Sequence, residues 1–160
     1  MALNRGKQFE AKLKQDFLAT VPDSSIDRLY DSVRGYKAIS NISDFIAFKK
    51  PCIYYLEAKS HQGNTFPLTN LSQYEKLVGK VGKVGIPGVR TDVVLWMIDH
   101  DRVIYVPIAT ITKLKADGKK SVNINTIEKE GYRIINIPSV KKRVFLDSDY
   151  SVLLDLEDGD

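Results

Sequence analysis

The chain has 160 residues, 43% of them hydrophobic and 28% charged, which is enough apolar material for one domain with a sizeable core and too much for wholesale disorder. No run of 18 apolar residues occurs, and the opening MALNRGKQFEAKL lacks a long apolar stretch, so the sequence reads as having neither a membrane span nor a secretory signal. Lys and Arg number 24 against 20 Asp and Glu, but residues 147–160 hold six acids and no base, so the first 146 residues carry 24 bases against 14 acids, a net of +10 that suits a polyanionic partner as well as plain solubility.

Residues 4–19 (NRGKQFEAKLKQDFLA) predict an amphipathic helix. Phe9, Leu13 and Phe17 fall four apart on one stripe, Asn4 is placed to cap the start, and Pro22 lies just beyond the end. Lys7, Lys12 and Lys14 give the helix a basic surface. Glu10 borders the stripe, and spacing alone allows it to point over a sheet or into solvent. Residues 25–31 (SIDRLYD) read as a short strand. The connection 32–42 (SVRGYKAISNI) is polar and contains glycine. Its Arg34, Tyr36 and Lys37 interleave cations with an aromatic, which suits phosphate contact with stacking, although a flexible loop would look the same.

Two β-rich runs follow, 43–48 (SDFIAF) and 53–60 (IYYLEAKS), with Lys49-Lys50-Pro51-Cys52 as the turn between them. Cys52 is the sole cysteine, which excludes an internal disulfide and points to a cytosolic setting. With His61 and His100 it cannot make a zinc site of the usual kind. After the hairpin comes a polar loop at 61–68 (HQGNTFPL), then a helix over 70–81 capped by Thr69 or Asn70, with Gln73 and Lys80 near its ends and able to reach phosphate. Residues 83–88 (KVGIPG) are a breaker-rich loop. A buried strand spans 92–98, a turn lies at 99–101, a strand pairs back over 102–106, and a helix occupies 108–116 with Lys113, Lys115, Lys119 and Lys120 as a second basic cluster. Residues 121–155 contain short β-like pieces and a turn at Glu130-Gly131. The whole reads as one α/β domain over 1–160, a central mixed sheet flanked by helices, with its core in about 4–107, a part at 108–155 that completes the sheet or a dimer, and an acidic tail at 156–160.

The central hairpin carries the chemistry. Alternation puts Glu57 and Lys59 on one face, and a turn near Lys50-Pro51 returns Asp44 towards Glu57. Two acids that close repel, and one takes up a proton unless a cation stands between them. Carboxylate oxygens suit Mg²⁺, which keeps several waters. A neighbouring lysine can orient or deprotonate a bound water or steady a phosphate. Such a set is equipped to hydrolyse a phosphodiester. Solvent-facing charges on an ordinary strand are the plainer alternative. Against it stand Tyr54, Tyr55, Leu56 and Ala58, which suggest a strand buried on both faces, where unpaired charge is costly.

Gly6, Phe9 and Glu10 on the first helix, then Asp44, Glu57-Ala58-Lys59 and Gln73, resemble the PD-(D/E)xK nuclease superfamily. More narrowly, Asp27-Arg28, Ser43-Asp44-Phe45, Tyr55-Leu56-Glu57-Ala58-Lys59, Thr65-Phe66-Pro67-Leu68 and Asn70-Leu71-Ser72-Gln73 resemble RecU-type Holliday junction resolvases, phage-encoded members above all. The resemblance covers about 4–107. It implies a restriction-endonuclease-like core and a homodimer that binds four-way DNA junctions and cuts two opposing strands with Mg²⁺ or Mn²⁺, in the cytoplasm, the host's if phage-encoded. It implies Asp44, Glu57 and the Ala58 carbonyl as metal ligands, Lys59 as the catalytic lysine, and Glu10 and Gln73 as supporting groups. The candidate DNA contacts are Lys7, Arg28, Arg34, Tyr36, Lys37, Thr65 and Lys80. Cellular members carry a long stalk before the metal aspartate, where this chain has only 32–43. Another duplex- or flap-cutting nuclease of the superfamily, or a non-catalytic DNA-binding regulator of recombination, are the alternatives. The second conflicts with the full set of competent acids and lysine.

Overall fold

The computed structural model describes residues 4–34, 37–81 and 85–156. Its strands in chain order are β1 (Ser25–Arg28), β2 (Ser32–Arg34), β3 (Lys37–Ile39), β4 (Phe45–Lys49), β5 (Cys52–His61), β6 (Thr65–Pro67), β7 (Val89–Met97), β8 (Arg102–Val106), β9 (Ser121–Asn123), β10 (Ile135–Ile137), β11 (Ser139–Lys142) and β12 (Phe145–Ser148). Its helices are α1 (Arg5–Thr20), α2 (Tyr74–Val81) and α3 (Ile108–Ala116), with short 3₁₀ turns at Leu68–Asn70, Ile98–His100 and Tyr150–Asp155. Among the described residues no helix is long and apolar enough to cross a membrane.

Six strands form one mixed sheet in the order β1-β4-β5-β7-β8-β10. The β5–β7 pair is parallel and the other four pairs are antiparallel. β5 and β7 lie in the middle, which is why β7 reads as an almost unbroken apolar run: Val93 to Met97 are all buried, facing alternate sides. One face carries α1, whose Phe9, Leu13 and Phe17 pack on Tyr54, Leu56, Ala58, Val94 and Trp96. Asn4 caps α1 by accepting from the Lys7 amide at 3.2 Å. On the other face Leu77 of α2 and Ile111 and Leu114 of α3 pack with Val93, Leu95, Ile104 and Val106. The Thr91 hydroxyl ties β7 to α2 by donating to the Leu77 carbonyl at 3.0 Å. Gly88 takes φ 76° where an added Cβ would lie 3.0 Å from the Pro51 carbonyl oxygen, so only glycine fits the start of β7 against the β4–β5 turn.

The last third of the chain is structural in its own right. β10 forms the far edge of the sheet, and Leu146, Tyr150 and Leu153 enter the core beneath α1. α1 is fastened there by polar bonds: buried Asp16 accepts from the Ser148 amide at 2.9 Å, and Lys12 lies 2.6 Å from both Asp16 and Asp147.

Three expectations are corrected. The connection 32–42 is a β-hairpin, β2 with β3, and its base is closed by the Asn41 amide donating to Asp31 at 2.6 Å. The helix expected over 70–81 begins at Tyr74. Leu68 and Leu71 are both buried, which a 3₁₀ turn and a bend allow; the first α-type bond runs from the Leu77 amide to the Gln73 carbonyl at 2.9 Å. The segment 61–68 is no simple loop, since β6 pairs with β9 from beyond α3. Asp92, read only as the start of an apolar run, is a buried junction. Its carboxylate accepts from the Ile108 amide at 2.7 Å and from the Tyr105 hydroxyl, with Arg90 Nε at 3.4 Å. It thereby satisfies an orphan amide at the start of α3.

Candidate active site

Three elements converge at Asp44. The β4–β5 register pairs Phe45 with Leu56, which sets Asp44, one residue before β4, across from Glu57. Asp44 Oδ2 accepts from the Ala58 amide at 2.8 Å. Leu56 and Ala58 point into the core under α1, so alternation turns Glu57 and Lys59 to the opposite face of β5. There Lys59 Nζ stands 3.2 Å from Glu57 Oε1. Glu57 is 1% exposed, and its Oε2 is buried with no hydrogen-bond partner among the described residues.

Glu10 comes from the second turn of α1 and reaches the site through Arg28 at the end of β1. Arg28 Nη2 lies 3.1 Å from Glu10 Oε2, and Nη1 lies 3.3 Å from Asp44 Oδ1. Nη1 also donates to the Leu29 and Asp44 carbonyls at 2.5 and 2.9 Å. The guanidinium is fixed further by the rings of Tyr30 and Phe45, 5.4 and 5.5 Å away. Three acids thus share two cations, leaving one surplus negative charge.

Electrostatics follow from that crowding. Burial pushes the Glu57 carboxyl up to about 7, the Asp44 charge pushes the same way, and Lys59 pulls it back. Glu10 is also raised, first by burial and then by Asp44, with Arg28 and Lys59 opposing. Carboxyls held above their ordinary range beside a buried oxygen without a partner form a site that gains from a cation. Among the described residues no group of three or more His, Cys, Asp and Glu side chains is placed to hold a metal alone. The donors available are two carboxylates, Asp44 and Glu57, and the main-chain carbonyl of Ala58. That set leaves positions for water, as Mg²⁺ requires.

The other candidate residues are placed as follows. Gln73 precedes α2, and its side chain accepts from the Ser72 hydroxyl at 2.8 Å. Arg28, a candidate DNA contact, holds Glu10 and Asp44 together; an arginine on the strand next to the one that Asp44 precedes was the signal. Lys7 is exposed on the first turn of α1. Lys80 lies 5.1 Å over the ring of Tyr55, which shares its β5 face with Glu57 and Lys59. Thr65 is exposed in β6 and accepts from Asn123 at 3.3 Å. Arg34 and Lys37 are register partners in the β2–β3 hairpin, and Tyr36 lies outside the described residues.

No protein-family model matches the chain, and no curated protein matches it in sequence. Among solved structures the chain is similar to Hjc from Archaeoglobus fulgidus, a Holliday junction resolvase from an archaeal hyperthermophile. The TM-score is 0.54 at 13% identity, over 78% of this chain and 93% of that one. The fold is restriction-endonuclease-like. On this restriction-endonuclease-like sheet the acids lie where β4 and β5 meet, one strand in from the β1 edge, and α1 brings Glu10 to them from the side.

Proposed function

We propose that this chain is a RecU-type endodeoxyribonuclease that resolves four-way DNA junctions. The observation that carries the reading is the convergence of Asp44, Glu57, Lys59 and Glu10 around a buried Glu57 oxygen that has no partner among the described residues. The neighbour's resolvase fold and the order of the sequence motifs support it. Asp44, Glu57 and the Ala58 carbonyl would hold Mg²⁺, with Mn²⁺ as a substitute. Bound there, such an ion supplies a Lewis acid and an acidified water for attack on a phosphodiester. Lys59 Nζ, 3.2 Å from Glu57, would be placed to orient that water or to steady the charge that develops on the phosphate. Glu10 and Arg28 keep Asp44 in place, and Gln73 is an accessory group at the start of α2. Lys7, Thr65 and Lys80 would contact phosphates. The β2–β3 hairpin, with Arg34, Tyr36 and Lys37, would act as a reduced stalk that enters the junction. Symmetric cutting of two strands needs two such sites, so the working form is a homodimer in the cytoplasm.

The test is incubation of the purified chain with a four-way junction, a Y-fork and linear duplex of equal length, with and without Mg²⁺ or Mn²⁺. Paired symmetric nicks in the junction, only with metal, are expected. Equal cutting of all three substrates would replace the junction reading with a general duplex nuclease. Binding without cutting in either metal would leave a DNA-binding regulator.

A further inference from the structure

The hairpin β11–β12 has no part in the site described above, yet it leaves the sheet at the same end. β10 runs parallel to β5, because β8 is antiparallel to both β10 and β7, and β7 is parallel to β5. The chain therefore turns out of β10 into the hairpin on the side where β5 carries Lys59 and His61. Three strand spacings separate β5 from β10, about 14 Å in all.

The base of the hairpin is rigid. Leu146 is buried, and Phe145 stacks on Trp96 with ring centroids 5.9 Å apart. Lys141 meets Asp101 at 2.7 Å and Asp147 meets Lys12 at 2.6 Å. These pairs cancel both acids near the tip. The tip itself presents Lys142 and Arg143, both exposed, beside Val140 and Val144, which are 62% and 45% exposed; Lys142 also helps hold the Asp147 carboxyl down. Among the described residues neither Lys142 nor Arg143 forms an ion pair. Arg143 takes φ 37°, in the left-handed region that a two-residue hairpin turn normally gives to Gly or Asn. A cation with a Cβ there works against the turn's own preference, so the turn is not the reason for it.

We propose that the β11–β12 tip is a second DNA contact, a clamp on the phosphates of a duplex arm at the end of the sheet where β5 carries Lys59. The partner rests on the nuclease reading above. The base, tied to α1, Asp101 and Trp96, holds Lys142 and Arg143 in place on the body of the domain, so the clamp grips backbone without reading sequence.

The test is metal-free binding over a salt series, comparing wild type with a Lys142→Gln, Arg143→Gly double variant. The glycine relaxes φ at the turn, so the variant should melt no lower than wild type. Each lost phosphate contact removes about 0.9 from the slope of log affinity against log salt, so the variant's slope should be shallower by about 1.8. On a junction with arms trimmed to a few base pairs the two proteins should bind alike. An unchanged slope on full-length arms overturns the clamp while leaving the nuclease reading intact. A variant that changes oligomeric state instead would make the tip a contact between two copies, which also overturns it. Wild type that binds no DNA under any salt overturns the nuclease reading itself.

Discussion

Arg28 stands between Glu10 and Asp44, 3.1 Å from one carboxylate and 3.3 Å from the other. It is a fixed cation that lets two acids from different elements lie close without a metal. Arg28→Ala should leave Asp44 free to swing and raise Glu10 further, since Arg28 is among the groups that hold Glu10 down. The expected loss is about 10- to 100-fold in metal affinity or turnover, the usual scale for a group that orients a ligand. A metal titration of cleavage, with a melting curve as control, checks this. Arg28→Lys should not restore the rate, because one ammonium cannot make both contacts.

Asp44→Asn and Lys59→Ala should separate metal binding from the attack on phosphate. Asp44→Asn should abolish cleavage and keep or strengthen junction binding, since a negative charge facing phosphates is removed. Lys59→Ala should lower turnover by about 10²–10³-fold with affinity nearly unchanged. Single-turnover cleavage beside gel-shift affinity reads both. A Lys59→Ala protein that lost only binding would make Lys59 a phosphate contact.

Glu57 should make the metal-free protein less stable as pH rises. Its folded value of about 7 lies above the ordinary 4.5, so between those values the native state holds more protons than the unfolded chain. Stability is therefore greatest below about pH 4.5 for this group, falls through pH 7 and then levels. At about 1.4 kcal/mol per pH unit the loss is on the order of 3 kcal/mol. Urea unfolding across pH with a chelator present measures it. Glu57→Gln should flatten this part of the profile and outlast wild type above pH 7; two parallel profiles would show that Glu57 is not held as described.

Asp92 should matter for folding and not for chemistry. Asp92→Ala strips the acceptor from the Tyr105 hydroxyl and the Ile108 amide inside the sheet. The expected cost is about 3–5 kcal/mol, read as a drop in urea midpoint. Well below its melting temperature the variant should cleave at the wild-type rate.

An Arg34→Ala, Tyr36→Ala, Lys37→Ala triple variant should fold normally and lose most of its preference for junctions over duplex in competition binding at matched ionic strength. An unchanged ratio would move shape recognition to α1 and β6 and end the reduced-stalk idea.

Much of the site was legible in the sequence because it lies on one hairpin. Period-two alternation and a short turn are local rules, and they were enough to bring Asp44, Glu57 and Lys59 together. Glu10 stayed ambiguous because its orientation depends on Arg28, whose strand is distant in sequence. The partner of Asp92 could not be seen, because a carboxylate in an apolar run reveals nothing about a tyrosine 13 residues later. The start of α2 was misplaced because Leu68 and Leu71 keep a helix-like spacing across a 3₁₀ turn. The segments 32–42 and 139–148 were unreadable for a different reason. Short two-stranded hairpins bury little, so they leave a weak periodic signal.

The bond between Asp16 and Ser148 spans 132 residues. α1 packs on β5 and β7 through Phe9, Leu13 and Phe17, and Leu146, Tyr150 and Leu153 complete its seat from the far end of the chain. A chain cut short before β11 would keep the central hairpin and lose both the Asp16 anchor and these three core residues. The placing of Glu10, the third carboxylate beside Asp44 and Glu57, therefore depends on residues from the opposite end of the sequence.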